Sequence, residues 1–151
     1  MSLDVSPVSL LRAAFPLHGP EEPALFKEGD APTDDLVKEL FYGRNWPEVE
    51  FPDENPFVVE SFGLLSQKAR LYFLPSYAVN AIDNPFHRHG FLLWVEDSAR
   101  LFHDSALDSR LSTLQIRALL SAVDLIKDDQ GETGACKIKA AQVSRQLRKF
   151  L

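Results

Sequence analysis

Residues 66–82, SQKARLYFLPSYAVNAI, decide the fold. Ser66 offers a side-chain oxygen to the free amides of a first helical turn. Ala69, Tyr72 and Phe73 then fall at the i, i+3, i+4 spacing of a helix that packs one face on a core. Pro75 interrupts that pattern, because its ring opposes the carbonyl four residues back, and the sequence predicts a kink or a fresh start there. Tyr77, Ala78, Ala81 and Ile82 carry an apolar face beyond it, and Asp83-Asn84-Pro85 reads as a turn.

Helical patterns extend outward from this segment in both directions. Ser6-Pro7 opens a short helix over Val8–Phe15, and the breakers Pro16, Gly19, Pro20, Pro23, Gly29 and Pro32 make 16–33 a loop. Thr33 is placed to cap a helix with Asp34 and Asp35 in its first turn. Leu36, Val37, Leu40 and Phe41 form its inner face until Gly43. A second proline-rich stretch, 43–56, contains Val49 and Phe51 alternating with acids, so a short extended edge fits there but a central strand does not. Phe91–Val95 (FLLWV) reads as a buried strand or one face of a helix; Ala99, Phe102 and Ala106 tilt the balance to helix. Ser112-Thr113-Leu114-Gln115 has capping-box spacing, and Ile116, Leu119, Leu120, Val123 and Ile126 follow as a clean stripe to Lys127. After a loop at 128–134, Cys136–Leu151 closes the chain as a helix with Val143, Leu147, Phe150 and Leu151 inward. The reading is mainly α: a single-domain irregular helical bundle over 1–151, with long proline-rich loops and at most a marginal β element.

Composition agrees. The chain has 151 residues, the size of one core, and 45% of them are hydrophobic, including 11 Phe. No apolar run is long enough to cross a bilayer, and the first 15 residues carry Asp4 and no basic leader, so cytoplasm is the expected compartment. A lone cysteine, Cys136, excludes an internal disulfide. Net charge is −6 and unevenly spread: residues 1–60 hold 13 acids against 4 bases, whereas 135–151 hold 5 bases and no acid. An acidic front repels phosphate backbones and attracts basic partners, and the cationic tail reads as the solvated end of a helix rather than a nucleic-acid site.

Chemistry-bearing constellations are sparse. His87-Arg88-His89 puts two imidazoles on one side of an extended segment, with Asp83 or His103 as further metal ligands, but the intervening arginine repels a cation and no metal-site spacing accompanies it. The two histidines are expected at the surface of a turn. Cys136 starts a helix, where the dipole lowers a thiol pKa, yet a small residue at a helix start explains it as well. Ser66, Ser76 and Ser112 lie in no nucleophile elbow, and no glycine-rich phosphate loop occurs, so no metal, cofactor or catalytic residue is assigned. The densest acidic group is Glu48, Glu50, Asp53 and Glu54, interleaved with Trp46 and Phe51. Aromatic anchors set among charges suit an interface, so these six residues are the expected partner-binding set.

Arg70-Leu71-Tyr72-Phe73-Leu74-Pro75-Ser76-Tyr77 resembles the R-x-Y-x-L-P-x-Y/F segment of a family of small uncharacterised bacterial proteins, and Leu111–Ala118 is similar to that family's L-S-x-x-Q-x-x-A helix. The resemblance spans about residues 44–126. It implies a small cytosolic protein of the type encoded beside secreted toxins, and it brings no catalytic residue. The expected function is therefore a non-enzymatic binding protein: an immunity-type inhibitor of a basic toxin enzyme, such as a nuclease. The alternatives are an enzyme with a carboxylate/histidine pocket, and a structural subunit of an oligomer. A pocket that joins those groups favours the enzyme; a convex acidic ridge favours binding.

Overall fold

A computed structural model describes residues 6–18, 35–104 and 111–151, with the side chains of Asp35 and 100–104 left aside. Among the described residues there are seven α-helices and no strand: α1 Pro7–Ala14, α2 Asp35–Phe41, α3 Val58–Gly63, α4 Gln67–Asp83, α5 Arg88–Asp104, α6 Thr113–Asp128 and α7 Gly134–Arg148. Short 3-10 turns occupy Trp46–Glu48 and Pro85–His87. The fold is mainly α, an irregular bundle.

Local chemistry sets most helix starts. Ser6 accepts from the Ser9 amide at 3.2 Å with Pro7 behind it, Ser66 from Ala69 at 3.1 Å, and Thr133 from Cys136 at 3.3 Å. The Ser112 box closes both ways: Ser112 Oγ takes the Gln115 amide at 3.1 Å, and Gln115 Oε1 takes the Ser112 amide at 2.9 Å. The same Gln115 donates to the Ala14 carbonyl at 3.3 Å, which ties α1 to α6. Most of the 16–33 loop, the Thr33 cap and Ala106 lie outside the described residues.

α4 is the central element. Every residue from Tyr72 to Ala78 is buried, as befits a helix surrounded on most sides. Pro75 sits inside it, and α4 still runs as one helix to Asp83, so no fresh start occurs at the proline. A proline in a helix interior costs about 3 kcal/mol; complete burial of its neighbours Phe73, Leu74, Tyr77 and Ala78 opposes that cost. α5 and α6 pack on α4, α7 packs on both of them, and α1 lies on α6. The segment 91–95 is helix, within α5: Phe91, Leu92, Val95 and Ala99 face inward at helical period while Leu93 is exposed.

Between α2 and α3 the chain is extended, yet it pairs with no strand. Val49 and Phe51 do alternate inward, and Glu48 and Glu50 outward. The backbone of this stretch is held by side chains of α4 instead of by a sheet.

Candidate functional site

The site grows from a polar line on an otherwise apolar helix. Tyr72, Ser76 and Asn80 recur every four residues along α4, and Asn84 continues the period at its C-cap, so all four share a face. Tyr72 Oη accepts from the Trp46 amide at 3.0 Å and donates to the Leu17 carbonyl at 2.8 Å. Ser76 Oγ donates to the Trp46 carbonyl at 2.8 Å. Asn80 accepts from the Phe51 amide at 2.9 Å and donates to the Val49 carbonyl at 3.1 Å, and Asn84 donates to the Asp53 carbonyl at 2.7 Å. His87 ends the series, with Nε2 bonded to the Pro52 carbonyl at 2.7 Å. Residues 46–53 are thus laid along α4 by their main chain.

This arrangement corrects the expected anchors. Trp46 is 1% exposed and Phe51 7% exposed. Neither ring is offered to a partner. Phe51 packs edge-on against Tyr77 at 4.8 Å and His87 at 5.3 Å, and the Trp46 indole N–H is buried with no hydrogen-bond acceptor among the described residues. Burial of Val49 and Phe51 goes with the main-chain alternation that turns Glu48 and Glu50 outward.

The acids then meet residues from elsewhere. Glu50, Asp53 and Glu54 line a cleft of about 490 Å³ together with Asp83, Asn80, Asn84 and His87. All four carboxylates are exposed, and no ion pair among the described residues engages any of them. Asp83 is also the last residue of α4, where the helix macrodipole disfavours negative charge. Glu48 is exposed but stands outside the cleft. The sequence offered Asp83 only as a turn residue or a further metal ligand; the polar period 72/76/80/84 was the signal that could have located the cleft.

No protein-family model, curated protein or solved structure matches this chain.

The histidines divide. His89 is exposed, whereas His87 is buried, contrary to the surface position expected of both. Burial lowers the His87 pKa below its ordinary 6.5, outweighing the upward pulls of the Pro52 carbonyl and Asp53. The bond to Pro52 requires a proton on Nε2, so the neutral ring carries its lone pair on Nδ1. Among the described residues no group of three or more His, Cys, Asp or Glu is arranged to hold a metal ion. Cys136 is buried, and burial raises its thiol pKa, opposite to the helix-start effect.

Arg88, between the histidines, has a different task. It is 4% exposed and caps the end of α4 by donating to the Ala81 carbonyl at 2.9 Å and the Ile82 carbonyl at 3.2 Å. The same guanidinium reaches Asp129 and Glu132, each at 2.6 Å, in the loop before α7. Burial pushes Glu132 up, but the Thr133 amide and Arg88 outweigh it and hold the carboxyl below its ordinary value.

On the other side of His87 is a smaller apolar pocket of about 170 Å³, walled by Val58, Val59, Phe86 and Leu93 with Tyr77 and Gly90. Phe86 and Leu93 are both exposed. The cleft and the pocket share His87 in their linings.

Proposed function

We propose that this protein is a non-enzymatic protein-binding protein, most concretely an immunity-type inhibitor that neutralises a basic toxin enzyme such as a nuclease in the cytoplasm. The cleft of Glu50, Asp53, Glu54 and Asp83 is its docking face. One observation carries the reading: the fold gathers four carboxylates from two elements, and no described residue forms an ion pair with them. Exposed acids of one sign focus a field that speeds capture of a basic surface and makes it salt-dependent. A nuclease carries such a surface to hold phosphate, and an acidic inhibitor mimics its substrate's charge. The resemblance of Arg70–Tyr77 to small bacterial proteins encoded beside toxins adds to this reading. No helix among the described residues is long and apolar enough to cross a membrane.

The decisive experiment is co-expression with the product of the adjacent gene at low salt. A complex should co-purify, weaken with added salt, and be lost when Glu50, Asp53, Glu54 and Asp83 are neutralised together. No complex, or one indifferent to those changes, would sink the proposal.

A second reading has a specific observation behind it. The acids meet His87 in a concave cleft rather than on a convex ridge, as an acid–base enzyme would require. Against it, carboxylate catalysis needs burial or a neighbour to separate two pKa values, and these acids are exposed and unpaired. A hydrolytic activity abolished by His87→Gln in a folded protein would favour the enzyme.

A further inference from the structure

Tyr77 stands apart from the other buried polar side chains of α4. It is 1% exposed, and its ring is packed edge-on against Phe51 and Phe62, yet no described residue hydrogen-bonds its hydroxyl. Burial alone pushes its pKa up, with no hydrogen bond to offset it. Tyr72, one turn and a half earlier, has its hydroxyl bonded on both sides. The fully buried unpaired side-chain atoms among the described residues are Trp46 Nε1 and Gln146 Oε1, so the Tyr77 hydroxyl keeps a sliver of exposure through which a partner can reach it.

The hydroxyl ends at Gly90 of α5, where even a Cβ would overlap it. Tyr77 and Gly90 both line the apolar pocket, so the unpaired donor lies at its wall. The volume, about 170 Å³, is close to the roughly 150 Å³ of an apolar cavity that holds one benzene-sized guest. Phe86 and Leu93 are exposed at the pocket, and Phe57, beside Pro56 and Val58 of its wall, is 61% exposed. Water fills such a place poorly.

We propose that this pocket receives one bulky apolar side chain of the basic partner, with the Tyr77 hydroxyl donating to a carbonyl of the same segment. This rests on the binding reading above. Charge selects the occupant: His87 forms a wall of both the pocket and the acidic cleft, so an apolar residue seated in one sets a neighbouring Lys or Arg against Glu50, Asp53, Glu54 and Asp83. Consecutive residues at a turn, with Cα atoms about 3.8 Å apart, can set both side chains on one side, which alternation prevents in a strand, and so supply that pairing. The recognised unit is a basic residue next to an apolar one, and Gly90 is the position that leaves room for the Tyr77 hydroxyl at its seat.

The test is amide NMR of the full chain titrated with three blocked dipeptides. Acetyl-Leu-Lys-amide should shift Gly90 and Leu93 together with Asp53 and Asn84, while acetyl-Gly-Lys-amide shifts only the cleft residues and binds more weakly. Acetyl-Leu-Glu-amide should shift neither set. Tyr77→Phe should weaken the Leu-Lys peptide about three- to tenfold, the worth of one hydrogen bond, and leave the Gly-Lys peptide unchanged. Because no described residue hydrogen-bonds the hydroxyl, Tyr77→Phe should also leave the melting temperature unlowered. Equal binding of the Gly-Lys and Leu-Lys peptides, confined to the cleft, overturns this inference and leaves the acidic docking face intact. Equal shifts at Gly90 from the Leu-Lys and Leu-Glu peptides overturn the basic-partner assignment. Absence of cleft shifts with either lysine peptide counts against the docking face itself.

Discussion

Two groups of acids in this protein have the same chemistry and opposite circumstances. Asp129 and Glu132 converge on Arg88, a buried guanidinium that also holds the α4 C-terminus. Glu50, Asp53, Glu54 and Asp83 converge on a cleft and meet no cation among the described residues. Arg88 follows directly on His87, which lines that cleft, so the contrast holds across neighbouring residues. The first group is satisfied by the fold. The second finds no cation among the described residues, and Asp83 sits at a helix end where its charge opposes stability.

The comparison breaks most visibly at Arg88. Arg88→Met strands Glu132, whose side chain is 7% exposed, without its cation. Loss of one partner from a buried pair typically costs about 3–5 kcal/mol; urea unfolding should show a fall of about 3 kcal/mol, since Asp129 is partly solvated.

Asn80→Ala should come next. It leaves the Phe51 amide and the Val49 carbonyl without their α4 partners, and with them the line that holds 46–53. About 2 kcal/mol is expected from unpaired backbone groups of this burial. The same change should loosen the cleft, seen as faster amide exchange at Phe51.

The sequence made some of this legible and concealed the rest for physical reasons. Helix starts are local, so Ser66 and the Ser112/Gln115 box could be read from four residues apiece. The 91–95 run needed its surroundings, because a buried strand and a buried helix share an apolar composition. Trp46 and Phe51 look like exposed anchors among acids, and the side chains that hold their main-chain amides stand 26 and 29 residues downstream on α4. Arg88 looks like a repulsive neighbour of two histidines until Asp129 and Glu132 arrive from 41 and 44 residues away. Whether an acid is paired is a tertiary fact. The acidic stretch was therefore visible as charge and invisible as a cleft, and nothing local set Asp83 beside those acids or the Tyr77 hydroxyl beside Gly90.

Acid should sharpen the contrast in two separate windows. His87 has a folded pKa below its ordinary 6.5, so the unfolded chain binds the extra proton between the two values. Its contribution is complete above 6.5 and is lost as pH falls through the folded value. Glu132 is likewise held below its ordinary 4.5, so its share is present above that pH and lost beneath it. Melting temperatures recorded from pH 8 to pH 3 should decline in both windows. His87→Gln should flatten the first only, and Glu132→Gln the second only.

The most direct test sets the two acid groups side by side without any partner. In the quadruple variant E50Q/D53N/E54Q/D83N, urea unfolding at low salt should give a stability unchanged or slightly raised, since mutual repulsion and the unfavourable charge on α4 are both relieved. In D129N/E132Q the same measurement should show a clear loss, because the buried Arg88 guanidinium is left without either carboxylate. A quadruple variant that unfolds as readily as D129N/E132Q would mean the cleft acids hold the fold together, and the account of them as a surface kept for a partner would be wrong.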